Sequence, residues 1–290
     1  MTTRRWAVVG AGGMLGREVV DVLRQAGEDV TGLARADLDA TDAAACRDRL
    51  AGADVVVNAA AWTAVDDAEQ HEGAAFAANA LAPANLGRAA AATGARLVHV
   101  STDYVFDGRA SEPYAEDAVT APRSAYGRTK LAGEWAAAAT CPDHLLVRTA
   151  WLYGDGKCFP RTIARLLGQR DTVSVVDDQL GQPTWTRDVA DLVLRLVRAE
   201  VPTGTHHATS SGRASWHDLA RAVATSLGTD PERVRPTTSA DFPTPAERPA
   251  WSVLGHEGLR AAGVEPVGDW ADRWTAAAPH VLAETGSAGA

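Results

Sequence analysis

Cysteine is scarce in this 290-residue chain, with only Cys46, Cys141 and Cys158. They lie far apart and make no metal-binding or redox spacing. Isolated thiols fit a reducing compartment, so the cytoplasm is the expected location. Long apolar runs are also missing. None approaches the ~20 residues of a membrane span. Arg4 and Arg5 precede an apolar stretch, but it covers only Trp6 to Val9 before glycines follow, which reads as a buried strand and not as an export signal. Basic charge is in short supply: 28 Lys and Arg face 37 Asp and Glu, for a net charge of −9. With no basic stripe, nucleic acid is excluded as a main partner. Of eight histidines only His206 and His207 are adjacent, and strand neighbours point to opposite faces, so a shared metal is not expected there.

An ordinary globular composition is present, with 46% hydrophobic and 22% charged residues, enough for one large core or two smaller ones. No repeat or low-complexity linker separates independent domains. The first strand, Trp6-Ala7-Val8-Val9, runs into Gly10-Ala11-Gly12-Gly13-Met14-Leu15-Gly16 and then into a helical pattern from Leu15 to Ala26. Strand, glycine turn and helix are the setting of a dinucleotide fingerprint. Gly10 allows the tight turn, Gly13 lets backbone amides approach a pyrophosphate, and Gly16 lets the helix pack close to the sheet. The spacing is Gly-x-x-Gly-x-x-Gly, because position 15 is Leu.

Asp29 to Ala34 reads as the second strand and ends at Arg35, not at an acid. An acid there would hold a ribose 2′-hydroxyl, whereas an Arg suits a 2′-phosphate, so NADPH is the expected cofactor. The nearby Asp37 and Asp39 keep NADH possible. Asp42 can cap a helix through Leu50. Asp54 to Asn58 is the third strand, and Ala59-Ala60-Ala61 after it leaves room for a flat ring or a ribose. Gly73 to Thr93 is helical with a break or kink at Pro83, and Asn79 inside it is expected to make a structural hydrogen bond.

The fourth strand, Arg96 to Ser101, ends in Ser101-Thr102-Asp103-Tyr104, at the edge where open parallel sheets bind ligands. A hydroxyl there can polarise a carbonyl. Tyr126 and Lys130 lie four residues apart on one helix face. An ammonium beside a phenol favours phenolate, which makes Tyr126 a candidate acid or base. His144 to Thr149 is the fifth strand. Strands alternating with helices predict a parallel α/β sheet covered on both faces. Further on, a helix over 159–167, a sixth strand over 173–176, a helix over 186–199, a short strand over 205–208 and a helix capped by Ser215 and Asp218 are expected. Glu284 to Ala290 reads as a frayed tail.

Together these blocks resemble the dTDP-4-dehydrorhamnose reductase family of extended short-chain dehydrogenases/reductases. The resemblance rests on Gly10 to Gly16, Asn58 to Asp66, Ser101 to Phe106, Tyr126 to Glu134, Arg148 to Tyr153, Asp178 to Thr184 and Phe242 to Pro245. It implies a Rossmann-type doubly wound parallel sheet with a smaller C-terminal substrate-binding lobe. Residues 1–150 and about 172–200 would form the dinucleotide-binding part, and 151–171 with 201–290 the lobe. It implies hydride transfer to the C4 ketone of a dTDP-linked keto-deoxysugar, with Tyr126 protonating the alkoxide, Lys130 holding the nicotinamide ribose and lowering the Tyr126 pKa, and Thr102 bonding the same oxygen. Cofactor contacts would come from Gly10, Gly12, Gly13, Met14, Leu15, Gly16, Arg35, Asp39, Asn58, Ala59, Ala60, Ala61 and Ser101, besides Tyr126 and Lys130. Thr63, Asp103, Trp151, Gln179 and Arg248 would line the sugar nucleotide.

Two departures fall in the substrate half: Trp251 and Cys158 stand where the family usually has Asn. They leave open a 4-ketoreductase for another deoxysugar, as in antibiotic glycoside synthesis. A dehydratase or epimerase of the same superfamily is disfavoured, because Asp103 is followed by Tyr104 and not by Glu. A non-catalytic NADP-binding regulatory subunit, similar to that of methionine adenosyltransferase, is the alternative from another class. Some relatives carry magnesium at a dimer interface. Here only Glu18 fits, and Arg187 replaces an expected acid, so no metal is predicted. A homodimer is the oligomer left open.

Overall fold

The first strand, β1 (Arg5–Val9), is buried on both faces, as its unbroken apolar run requires. In the computed structural model, which describes residues 3–283, it is the hinge of the main sheet. The tail from Glu284 to Ala290 lies outside the described residues. The chain continues through α1 (Met14–Gln25), β2 (Asp29–Leu33), α2 (Ala43–Leu50), β3 (Val55–Asn58), α3 (Val65–Ala68), α4 (Glu72–Phe76), α5 (Ala82–Thr93), β4 (Arg96–Thr102), α6 (Ala125–Thr140) and β5 (His144–Thr149). Then come β6 (Leu152–Tyr153), α7 (Phe159–Leu167), β7 (Val173–Val176), β8 (Leu180–Gly181), β9 (Thr184–Trp185), α8 (Thr186–Arg198) and β10 (Gly204–His207). The last part holds β11 (Ala214–Ser215), α9 (Trp216–Ser226), β12 (Val234–Thr237), α10 (Glu257–Ala261) and α11 (Trp270–Leu282).

Six parallel strands form the main sheet in the order β10-β5-β4-β3-β1-β2. The order reverses direction between β1 and β3, which opens a crevice beyond their carboxyl ends. Alternate residues of each strand enter separate cores. Trp6, Val8, Val55, Val57 and Val98 pack with α1 and α8 on one face. Ala7, Val9, Val56 and Leu97 pack with the helices of the other face. This doubly wound arrangement is the expected fold class.

Two sequence expectations need correction. The strand at 173–176 is not the sixth strand of the main sheet. It pairs in parallel with β12 in a separate two-stranded sheet. Its alternating burial is that of a strand with one wet face, whereas central parallel strands are buried throughout. The sixth strand is β10, delivered beside β5 by the α8 crossover. The expected division of the chain therefore misplaces both segments: 173–176 builds the lobe's sheet, and 204–207 completes the main one.

Pro83 stands within an unbroken helical run from Glu72 to Thr93, at the first turn of α5, and the expected break takes the form of a local change of helix type. The proline has no N–H for the carbonyl four residues earlier, Asn79, and the preceding turn, Ala77–Leu81, widens to π-helix. The widened turn aims the Asn79 side chain at the loop after β3, where it accepts from Trp62 N at 2.8 Å and donates to Trp62 O at 3.2 Å. Its amide also donates to Thr129 Oγ1 on α6 at 3.0 Å. The lobe has its own core, built around Tyr153, Ile163, Leu219, Val223 and Trp274. The expected capping box opens α9: Ser215 Oγ accepts from Asp218 N at 3.0 Å, and the Asp218 carboxylate accepts from Ser215 N at 2.8 Å.

Candidate active site

At the sheet's reversal, the turn after β1 meets the residues after β3. Gly10 has φ +84°, and a Cβ there would lie 2.5 Å from Ala60 N, so only glycine fits. Gly16 is packed against the Gly10 carbonyl in the same way. Gly12 and Gly13 are exposed, and α1 starts at Gly13 with no side-chain cap and no acid in its first turn. Its free N–H groups and positive dipole end suit a pyrophosphate. Met14 is half-buried, while the Leu15 side chain turns into the core, so Leu15 offers a ligand only its backbone.

Asn58 is buried and shapes the strand end, accepting from Ala60 N at 3.1 Å and donating to His99 Nδ1 at 3.0 Å. Burial holds His99 neutral, with the Lys130 charge adding to the effect. Ala59, Ala60 and Ala61 remain half-buried along the crevice. At the end of β2, Arg35 is exposed. The acids beside it are committed locally: Asp37 accepts from Ala34 N at 2.9 Å, and Asp39 from Thr41 N and Oγ1 at 2.9 and 2.7 Å.

Thr102 ends β4, with Thr149 of β5 opposite. Its Oγ1 donates to Asp103 Oδ1 at 2.8 Å. Tyr126 stands in the first turn of α6, whose N-cap Ser124 Oγ accepts from Gly127 N at 3.1 Å. Gly127 lets the helix approach the Tyr104 carbonyl. The Tyr104 ring meets Tyr126 edge-on, centroids 5.5 Å apart. Lys130, one turn on, is 2% exposed and donates from Nζ to Val100 O at 2.6 Å.

The electrostatics differ from the sequence expectation. Burial pushes the Tyr126 phenol up to about 12, and hydrogen bonding to Thr102 only partly opposes it. Lys130 does not depress it here; burial instead lowers Lys130 itself to about 8. For both groups desolvation is the largest cause of the shift. Asp103, 3% exposed, is pushed up to about 6 by burial. Buried oxygens without partners gather at this edge: Ser101 Oγ, Asp103 Oδ2 and Thr149 Oγ1. Such groups are costly unless a ligand satisfies them. The glycine cradle, the uncapped helix and these oxygens together fit a nicotinamide dinucleotide.

The residues expected at the sugar nucleotide are more scattered. Trp151 follows β5 at the same edge. Thr63 is exposed on the loop after β3. Gln179 donates to Ser239 Oγ at 2.8 Å. Arg248 pairs with Asp66 at 2.7 Å and lines a small cavity of about 100 Å³ with Tyr104, Arg109, Arg123 and Glu247. Glu247 holds Arg123 at 3.3 Å and Arg109 at 3.7 Å. Tyr104, Arg109 and Arg123 were given no role from sequence. Tyr104 adjoins the Ser-Thr-Asp block and was within reach of that reasoning, but the two arginines carry no local pattern. Trp251 is a packing residue: it is 8% exposed, and its Nε1 donates to Glu112 O at 2.9 Å. Cys158 is the buried N-cap position of α7.

Arg187 lies 3.9 Å from Glu18. Asp177, His217 and Asp218 come within 4.8 Å of one another, but both carboxylates already serve the α9 cap. Among the described residues no helix is long and apolar enough to cross a membrane.

Fold and site define a nicotinamide-dependent oxidoreductase of the extended short-chain dehydrogenase/reductase class. The family model described as RmlD substrate binding domain matches residues 4–284. A probable dTDP-4,6-dihydroxy-2-methyloxan-3-one 4-ketoreductase of Streptomyces antibioticus is 50% identical, over 96% of each chain. A dTDP-4-dehydrorhamnose reductase of Streptomyces griseus is 48% identical, covering 97% of this chain and 95% of its own. The crystal structure of dTDP-4-dehydrorhamnose reductase from Bacillus anthracis, in complex with NADP, superposes with a TM-score of 0.92 at 31% identity, covering 95% of this chain and 99% of that one. The chain belongs to the dTDP-4-dehydrorhamnose reductase family.

Proposed function

We propose that the protein reduces the C4 ketone of a dTDP-linked 4-keto-6-deoxysugar with NADPH, and that dTDP-4-dehydro-L-rhamnose, giving dTDP-L-rhamnose, is its substrate. The observation that carries this reading is the Thr102, Tyr126 and Lys130 group at the carboxyl edge, beside the glycine cradle. When bound, the cofactor supplies the hydride. The residues of the chain handle the proton. A phenol pushed up to about 12 is fully protonated near neutral pH, so Tyr126 enters the reduction as the acid. It gives its proton to the oxygen at C4. Thr102 Oγ1 steadies the same oxygen, and the buried Lys130 ammonium offsets the phenolate left behind. Arg35 supports NADPH over NADH by its place beyond β2 with both neighbouring acids engaged. Arg248 and the Arg109–Glu247–Arg123 cluster suit the nucleotide diphosphate.

A second reading keeps the chemistry and changes the sugar. It is favoured by the 50% identity to the Streptomyces antibioticus protein, whose name specifies a different dTDP-linked ketone. The test is turnover of both keto-sugars with NADPH, followed through loss of the reduced nicotinamide. Faster conversion of the second ketone would replace the first reading. A preference for NADH in kcat/KM, or no loss of NADPH preference in Arg35→Ala, would remove Arg35 from cofactor choice.

A further inference from the structure

Trp151 holds its backbone at φ +47°, and Glu200 is the only other described non-glycine residue at positive φ. This region is unfavourable for a bulky L-residue and persists where surrounding structure imposes it. The indole is fixed from two sides. It stacks on Trp216, with ring centroids 3.7 Å apart and planes 5° from parallel. Trp216 is backed in turn by Phe159, at 4.6 Å. On another side the ring fills a slot left by Gly181, where a Cβ would lie 2.5 Å from Trp151 Cε2.

Slot and stacking partner belong to one small device. β8 and β11 pair antiparallel, with Ala214 opposite Gly181 and Ser215 opposite Leu180. Ser215 also caps the helix that Trp216 opens. One register therefore places both Gly181 and Trp216 around the indole. Trp151 itself lies two residues beyond Thr149, the strand partner of Thr102. The half-buried indole thus stands at the edge that carries the Thr102 and Tyr126 oxygens.

We infer that Trp216 is a positioning residue, which holds Trp151 in its left-handed conformation so that the indole walls the keto-sugar site. The inference rests on the reaction proposed above and adds a reason for its substrate class. A deoxysugar presents a methyl group and C–H bonds where a common hexose has a hydroxyl, and such a face packs well on an aromatic ring. Phe159 and Trp216 act through Trp151 and need not touch the sugar.

Three variants test this. Trp216→Ala should raise KM for the keto-sugar roughly tenfold, the scale of a lost apolar contact in a pocket, and leave KM for NADPH unchanged. Trp216→Phe, which restores a ring, should recover most of the loss. Gly181→Ala should evict the indole with both tryptophans present. It should raise the sugar KM as Trp216→Ala does, and it should abolish the exciton couplet that stacked indoles give in far-ultraviolet circular dichroism. A wild-type spectrum without a couplet overturns the stack. Trp216→Ala with an unchanged sugar KM overturns the positioning role while leaving the proposed reaction intact. An equal rise of both KM values, or failure of Trp216→Phe to rescue, reduces Trp216 to a general packing residue. A wild type that converts no keto-sugar sinks the reaction and this inference with it.

Discussion

The crevice of the main sheet and the lobe above it are built on different rules. At the crevice, each functional group sits on a long element or directly at its end. Thr102 ends a seven-residue strand, and Tyr126 and Lys130 share the sixteen-residue α6. The candidate sugar-site residues of the lobe instead sit beside two-residue strands and on loops. Arg248 is held by Asp66, Gln179 by Ser239, and Trp151 by Trp216 and the slot at Gly181. The chemistry common to such reductases belongs on the rigid half, where donors must stay aligned. On the proposed function, sugar selection falls to the half that can vary without disturbing the sheet.

Variants can sharpen or break this division. The largest effect should come from Tyr126→Phe, which removes the proposed acid and keeps the ring. We expect kcat to fall about 10³-fold, within the range of general acid catalysis, with NADPH affinity unchanged by fluorescence titration. Comparable turnover in the variant would remove Tyr126 from the mechanism.

Next comes the joint between the halves. Glu134 of α6 and Arg148 of β5 form a buried pair at 2.8 Å, and Arg148 also donates to Glu116 O at 3.1 Å. Glu116 in turn accepts from Gly258 N at 3.0 Å. Glu134→Ala leaves a buried guanidinium without its carboxylate and should cost about 3–5 kcal/mol in denaturant unfolding. A cost below about 1 kcal/mol, the level of surface pairs, would show that water reaches the pair.

A third test uses pH. Burial raises the Asp103 carboxyl to about 6, so the folded state holds this proton more tightly than the unfolded chain. Stability is therefore lost as pH rises from about 4 through about 6, by up to roughly 3 kcal/mol. Asp103→Asn should melt higher than wild type near neutral pH and converge with it at acid pH. Equal melting temperatures throughout would mean the carboxyl is not desolvated in solution.

The smallest effect is expected in the lobe. Ser215→Ala removes the α9 cap and should cost about 1 kcal/mol. It should weaken the keto-sugar and spare NADPH. Matching losses for both ligands would contradict the division itself.

Local chemistry explains what could be read without a structure. Buried strands announce themselves as apolar runs, the glycine turn by steric need, and the Tyr126–Lys130 pair by helical period. Most elements up to β5, and α7, α8 and α9 beyond it, stand close to their expected positions. The same reasoning misassigned 173–176, since a four-residue apolar stretch does not state its partner. It also missed the direction of the Tyr126 shift, because the charge of Lys130 was visible and the desolvation of both groups was not.

The sequence by itself determined the parallel α/β architecture, the glycine turn, the placing of Tyr126 and Lys130 one helical turn apart, and the family. Each depends on residues close together in the chain, where spacing is geometry. Only the tertiary structure decided that β10 completes the sheet, that Asp66 meets Arg248, and that Trp216 and Gly181 clamp Trp151. Those contacts join segments far apart in sequence, and they form only where strand registers and helix packing bring the segments together.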